Sequence, residues 1–70
     1  MGEVRAEMVA NVWRVLVWEG EHVADGDTLV ILESMKMEIP ILAETTGVVS
    51  KLHVAEGDVV QEDELIAVVD

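Results

Sequence analysis

The sequence predicts an all-β domain, a flattened barrel or sandwich built from two similar halves. Three observations carry this. Short β-branched runs recur along the 70 residues with turn residues between them. A shift of 37 residues lays the first half of the chain over the second without a gap. Hydrophobic residues make up 51% of the chain, mostly Val, Ile, Leu and Ala with no Phe or Tyr, which suits one aliphatic core.

The elements follow in order. Residues 4–9 alternate weakly. Residues 12–18, V-W-R-V-L-V-W, are β-branched and aromatic, and Glu19-Gly20-Glu21 breaks the run. Trp13 shares a face with Val15 and Val17 and is expected in the core, whereas Trp18 falls on the opposite face, as a half-exposed cover in preference to part of a docking surface. Asp25-Gly26-Asp27 signals a turn before the run at 28–32. The chain reverses near Met35-Lys36 and continues extended over 37–42, where Pro40 indicates an edge position or a strand end. Glu44-Thr45-Thr46-Gly47 turns the chain into the run at 48–54, Glu56-Gly57-Asp58 turns it again, and 65–69 is the last strand. The window 61–66 is too short to favour a helix.

In the repeat, Val12-Trp13-Arg14-Val15-Leu16-Val17 lies over Val49-Ser50-Lys51-Leu52-His53-Val54, and Glu19-Gly20-Glu21 over Glu56-Gly57-Asp58. Val23 lies over Val60, Leu29 over Ile66 and Ile31 over Val68. Apolar and turn positions match while exposed ones drift, as expected of two half-domains that bury one face against each other about a pseudo-two-fold axis. Gly26 falls over Asp63, so the second copy of that turn is expected to adopt another conformation. Residues 34–44 have no full counterpart before the chain ends at Asp70, which makes the central hairpin an addition to the symmetric scaffold.

Composition bounds the function. One domain, 1–70, buries about 60% of its unfolded surface. Without cysteine it has neither a disulfide nor a thiolate metal site. An enclosed substrate pocket of roughly 300 Å³ would consume the core, so no catalytic residues are expected and the chain is not read as an enzyme. Fifteen acids against four bases give a formal charge of −11. Nucleic acid and anionic membrane surfaces are therefore poor partners. No apolar run reaches the ~18 residues of a transmembrane helix. Met1-Gly2-Glu3-Val4-Arg5 lacks the pattern of a signal peptide, so the cytoplasm is expected. His22 and His53 have no ligand partners at metal spacing, so no metal is expected. Gln61-Glu62-Asp63-Glu64 reads as a solvated turn.

The central reversal breaks a local rule. A two-residue hairpin turn favours Asn-Gly, Asp-Gly or Gly-X because its backbone needs positive φ. Met35-Lys36 supplies neither Gly nor Asn. Such violations in an otherwise consistent sequence mark functional sites. Lys36, one of two lysines with Lys51, would project from the turn on a flexible stem. Nothing nearby in sequence would activate it for catalysis of its own. It suits modification by another enzyme that brings an activated acyl group.

Glu33-Ser34-Met35-Lys36-Met37-Glu38-Ile39-Pro40 resembles the attachment motif of biotin carboxyl carrier domains, whose core is Met-Lys-Met. Gly20, Val23, Gly26, Gly47 and Gly57 also sit where the biotinyl/lipoyl family places its turns and core. The resemblance spans the chain from about Val4 to Val69, and is greatest to the small free-standing attachment proteins. It implies an eight-stranded barrel-sandwich hybrid of two quasi-symmetric four-stranded halves, with the modified lysine on an exposed hairpin. It also implies that a biotin protein ligase makes biotinyl-adenylate and that Lys36 takes the biotin as an amide. Met35 and Met37, with Glu33, Ser34 and Glu38, would be read by the ligase. The tethered biotin would then carry CO2 between biotin carboxylase and carboxyltransferase components, tethering raising its local concentration at each. A carrier that visits two sites is expected to be a monomer. The chain lacks the protruding thumb of some acetyl-CoA carboxylase carriers and an Ala/Pro-rich linker to a larger subunit. Two alternatives stand beside this reading. One is a lipoyl carrier bearing lipoic acid on the same fold, although lipoyl domains usually have Asp-Lys-Ala at the turn. The other is an unmodified protein-interaction module.

Overall fold

In the computed structural model, which describes residues 2–70, the β-branched runs all become strands. These are β1 (Gly2–Arg5), β2 (Ala10–Val15), β3 (His22–Val23), β4 (Thr28–Ser34), β5 (Met37–Leu42), β6 (Gly47–Leu52), β7 (Val59–Val60) and β8 (Leu65–Val69). They form two four-stranded antiparallel sheets, ordered β5-β4-β2-β7 and β1-β8-β6-β3. The two orders are one order under the repeat: β2 maps to β6, β3 to β7, β4 to β8 and β5 to β1. Each sheet takes three strands from one half and a short fourth strand from the other, so the halves interlock.

The contacts between halves are reciprocal. The Gly20 amide donates to the Val49 carbonyl (2.7 Å) and the Gly57 amide to the Val12 carbonyl (2.9 Å). The Val49 amide donates to the Glu21 carbonyl, and the Val12 amide to that of Asp58. Side chains follow: Glu56 accepts from the Val15 amide at 3.1 Å and Glu19 from the Leu52 amide at 3.0 Å. Contacts in which i meets j and j meets i define a two-fold relation. The core obeys it too. Val12 and Val49, Val17 and Val54, Val23 and Val60, Leu29 and Ile66, Val30 and Ala67, Leu32 and Val69, and Ala6 and Ala43 are all buried. Burying these aliphatic pairs between the sheets is the main drive to fold.

Four turns share one construction. In residues 18–21, 24–27, 55–58 and 61–64 the fourth amide bonds back to the first carbonyl at 3.0–3.1 Å. In each, the carboxylate of the fourth residue (Glu21, Asp27, Asp58 or Glu64) accepts from the first residue's amide at 2.8–3.2 Å. The third residue has positive φ: 94° at Gly20, 93° at Gly26, 94° at Gly57 and 70° at Asp63. Six of the fifteen acids, these four with Glu19 and Glu56, are thus backbone acceptors as well as surface charge.

Several expectations are corrected. Asp63 does not take another conformation; it stays left-handed like Gly26, which Asp tolerates better than most residues. The central hairpin is not an addition. Its pairs Thr28↔Leu42, Val30↔Ile41, Ile31↔Pro40 and Leu32↔Ile39 recur as Leu65↔Arg5, Ala67↔Val4, Val68↔Glu3 and Val69↔Gly2, bulge included. The counterpart of β4–β5 is therefore β8 paired with β1, and the chain ends stand where the first half has its turn. Trp13 is half-buried, not core, because a β-bulge between Val12 and Arg14 breaks the alternation; the Arg14 guanidinium stacks 4.3 Å above its ring. Trp18 is 66% exposed, too open to be a half-exposed cover. The first strand stops at Arg5, and the 12–18 run is a strand only to Val15. Pro40 does lie on an edge strand, β5.

Candidate functional site

β4 and β5 pair from Thr28↔Leu42 to Ser34↔Met37, leaving Met35 and Lys36 as a two-residue loop. Such a loop must follow the twist of its strands, and the type I′ geometry does so at the cost of positive φ at both central positions. Met35 has φ 53° and Lys36 φ 64°. Neither residue can relieve the contact between Cβ and the following carbonyl as glycine would, so the turn stores strain of roughly 1 kcal/mol per residue. The strand pairing holds it in place.

This geometry pushes both side chains off the body of the domain. Met35 is 91% exposed and Lys36 is exposed as well; Met37, the first residue of β5, is 64% exposed. Among the described residues the salt bridge is Arg5–Glu3 at 2.9 Å, and no carboxylate pairs with Lys36. Glu33 and Glu38 face each other directly across the hairpin, Glu33 half-buried and Glu38 exposed, with half-buried Ser34 beside them. The structure thus brings all six sequence-nominated residues onto one hairpin end. Lys51, the other lysine, lies on β6 in the opposite sheet.

An open groove of about 440 Å³ runs between edge strands β1 and β5, lined by Glu3, Val4, Arg5, Ile39 and Ile41 among others. It is open to solvent and lies between the sheet edges, so it is not the enclosed pocket that would consume the core. Lys36 is not among its lining residues. Among the described residues no three His, Asp or Glu side chains are placed to hold a metal.

A solvated, unpaired amine on a strained tip, with nothing packed over it, accommodates an acyl group in amide linkage without disturbing the core. Interlocked β halves presenting such a lysine define a carrier-type scaffold. The chain belongs to the biotinyl/lipoyl attachment family: the family described as "Biotin-requiring enzyme" matches residues 1–69. It is 58% identical over 67 residues to a Mycobacterium leprae protein called biotinylated protein TB7.3 homolog, covering 96% of this chain and 94% of that one. It is 43% identical to the biotin/lipoyl attachment protein of Bacillus subtilis, covering 90% and 86% of the two chains. Among solved structures, the Kluyveromyces lactis urea carboxylase contains a similar domain with TM-score 0.91 and 32% identity, matching 99% of this chain and 6% of that much longer one. The family and the biotinylated relative both point to covalently bound biotin as the cofactor.

Proposed function

We propose that this chain is a biotin carrier and that Lys36 is its attachment residue. The observation that carries the reading is the left-handed Met35-Lys36 turn in a chain of this family. A turn optimised for stability alone would use Asn-Gly; this one keeps a lysine at the tip and a thioether on either side. Lys36 Nζ, once it has given up a proton, forms the amide with biotin activated by a biotin protein ligase. Met35 and Met37 offer the ligase an apolar contact, and Glu33, Ser34 and Glu38 complete the surface it reads. When bound, biotin supplies a ureido nitrogen that takes up and releases a carboxyl group. The chain itself contributes reach and mobility, presenting the loaded turn as a monomer to biotin carboxylase and carboxyltransferase components in the cytoplasm.

The lipoyl reading is kept for one observation, the biotin/lipoyl naming of the Bacillus subtilis relative. Intact mass of the protein from its native cells, with peptide mapping across Lys36, separates the readings. One biotinyl amide on Lys36, lost in Lys36→Arg and absent from Lys51, is the expected result. A lipoyl increment moves the chemistry to acyl or aminomethyl transfer. An unmodified mass in cells with an active ligase supports the interaction module and refutes both carrier readings.

A further inference from the structure

Met35 and Met37 stand largely clear of the rest of the domain. Met35 is 91% exposed and Met37 64%, against 40% for Met8. Among the described residues the buried core contains no methionine. A thioether in water is open to two-electron oxidation, and the two on either side of the proposed attachment lysine are the most open of the three methionines among the described residues.

We propose that Met35 and Met37 form a site of reversible sulfoxidation that governs the loading of Lys36. This rests on the ligase-recognition reading above. The oxidant is a peroxide. A sulfur lone pair attacks one peroxide oxygen, the O–O bond breaks, an S–O bond forms, and the second oxygen leaves as water. Sulfur is oxidised by two electrons and the peroxide is reduced. Two thiols reverse the step through sulfoxide reductases, one for each sulfoxide epimer, giving thioether, disulfide and water. The sulfoxide oxygen is a strong acceptor that a ligase must desolvate to bury the side chain, so loading falls by about tenfold or more. Since both residues lie outside the core, the domain stays folded.

The test uses the full-length unloaded chain, hydrogen peroxide and a biotin protein ligase with biotin and ATP. Peptide mapping should show oxygen added at Met35 first, then Met37, then Met8. The loading rate should fall by about tenfold, recover after treatment with both sulfoxide reductases, and become peroxide-insensitive in Met35→Leu/Met37→Leu. The thermal midpoint should not change. Sulfoxidation at both residues with an unchanged loading rate overturns the proposal while leaving Lys36 as the attachment site. Loading that falls equally in the double leucine variant also overturns it. Failure of the unoxidised chain to load refutes the carrier reading itself.

Discussion

The strain at the tip can be removed, and the gain predicted. Met35→Asn with Lys36→Gly keeps the two-residue loop and supplies the pair that type I′ turns favour. Left-handed backbone costs a non-glycine residue roughly 1 kcal/mol, so φ of 53° and 64° store about 2 kcal/mol together. Glycine returns part of this, about 0.5–1 kcal/mol, by enlarging the unfolded ensemble. The net stabilisation is therefore about 1 kcal/mol. In a domain of this size that raises the thermal midpoint by about 4–8 °C. Thermal unfolding of the unloaded wild type and variant, followed by circular dichroism, measures it directly. An unchanged or lower midpoint would refute the claim that the turn is strained, and with it the argument that stability was given up there to present a lysine. Asp63→Gly is the internal control. Its φ of 70° is also left-handed, but Asp bears that conformation more easily, so its gain should be smaller.

Other substitutions test the scaffold. Gly47→Ala should cost about 2 kcal/mol or more and disturb the last residues, because a Cβ there meets the Asp70 carbonyl; denaturant titration reads the loss. Gly20→Ala and Gly57→Ala meet no neighbouring atom, so each should cost only the backbone penalty of about 1 kcal/mol, nearly equal in the two halves. Glu19→Ala and Glu56→Ala each remove an acceptor from the other half's amide. Each should lower stability by about 0.5–1 kcal/mol, with Gln in either place recovering part of it; an equally destabilised Gln variant would count against the hydrogen bond. Leu29→Ala and Ile66→Ala, at matching fully buried positions, should each cost about 3 kcal/mol by urea unfolding.

Much of this was legible in the residues. The runs at 37–42 and 65–69 are β5 and β8 to the residue; turn residues at 61–64 bound the start of the second, and Glu44-Thr45-Thr46-Gly47 follows the end of the first. The reversal at Met35-Lys36 was visible as a broken rule, although its φ values belong to the fold. What was not legible is non-local. β3 and β7 have two residues each, too few for any period, and exist only because β6 and β2 offer them an edge. The bulge that takes Trp13 out of the core depends on the register between β2 and β4. The counterpart of the hairpin escaped a linear comparison because the repeat runs past Asp70 and re-enters at Gly2. The acids looked like solubilising charge; their part in the turns appears only when the fourth carboxylate is seen against the first amide.

The equivalence of the turn with the paired chain ends has a mechanical consequence. A two-fold puts equivalent features on opposite sides of its axis, so the domain has a working pole at the proposed attachment residue, Lys36, and a mooring pole at β1 and β8. Its longest dimension is 31 Å. A segment joined at either terminus pulls on the mooring pole and leaves the working pole clear. In an assembly the rigid body of the domain then acts as a lever. A small rotation about the mooring sweeps the lysine through an arc before its side chain has turned a single bond. The similar domain of the urea carboxylase matches 6% of that chain, and a unit whose β1 and β8 lie away from its hairpin tip can be joined into a longer chain without covering that tip.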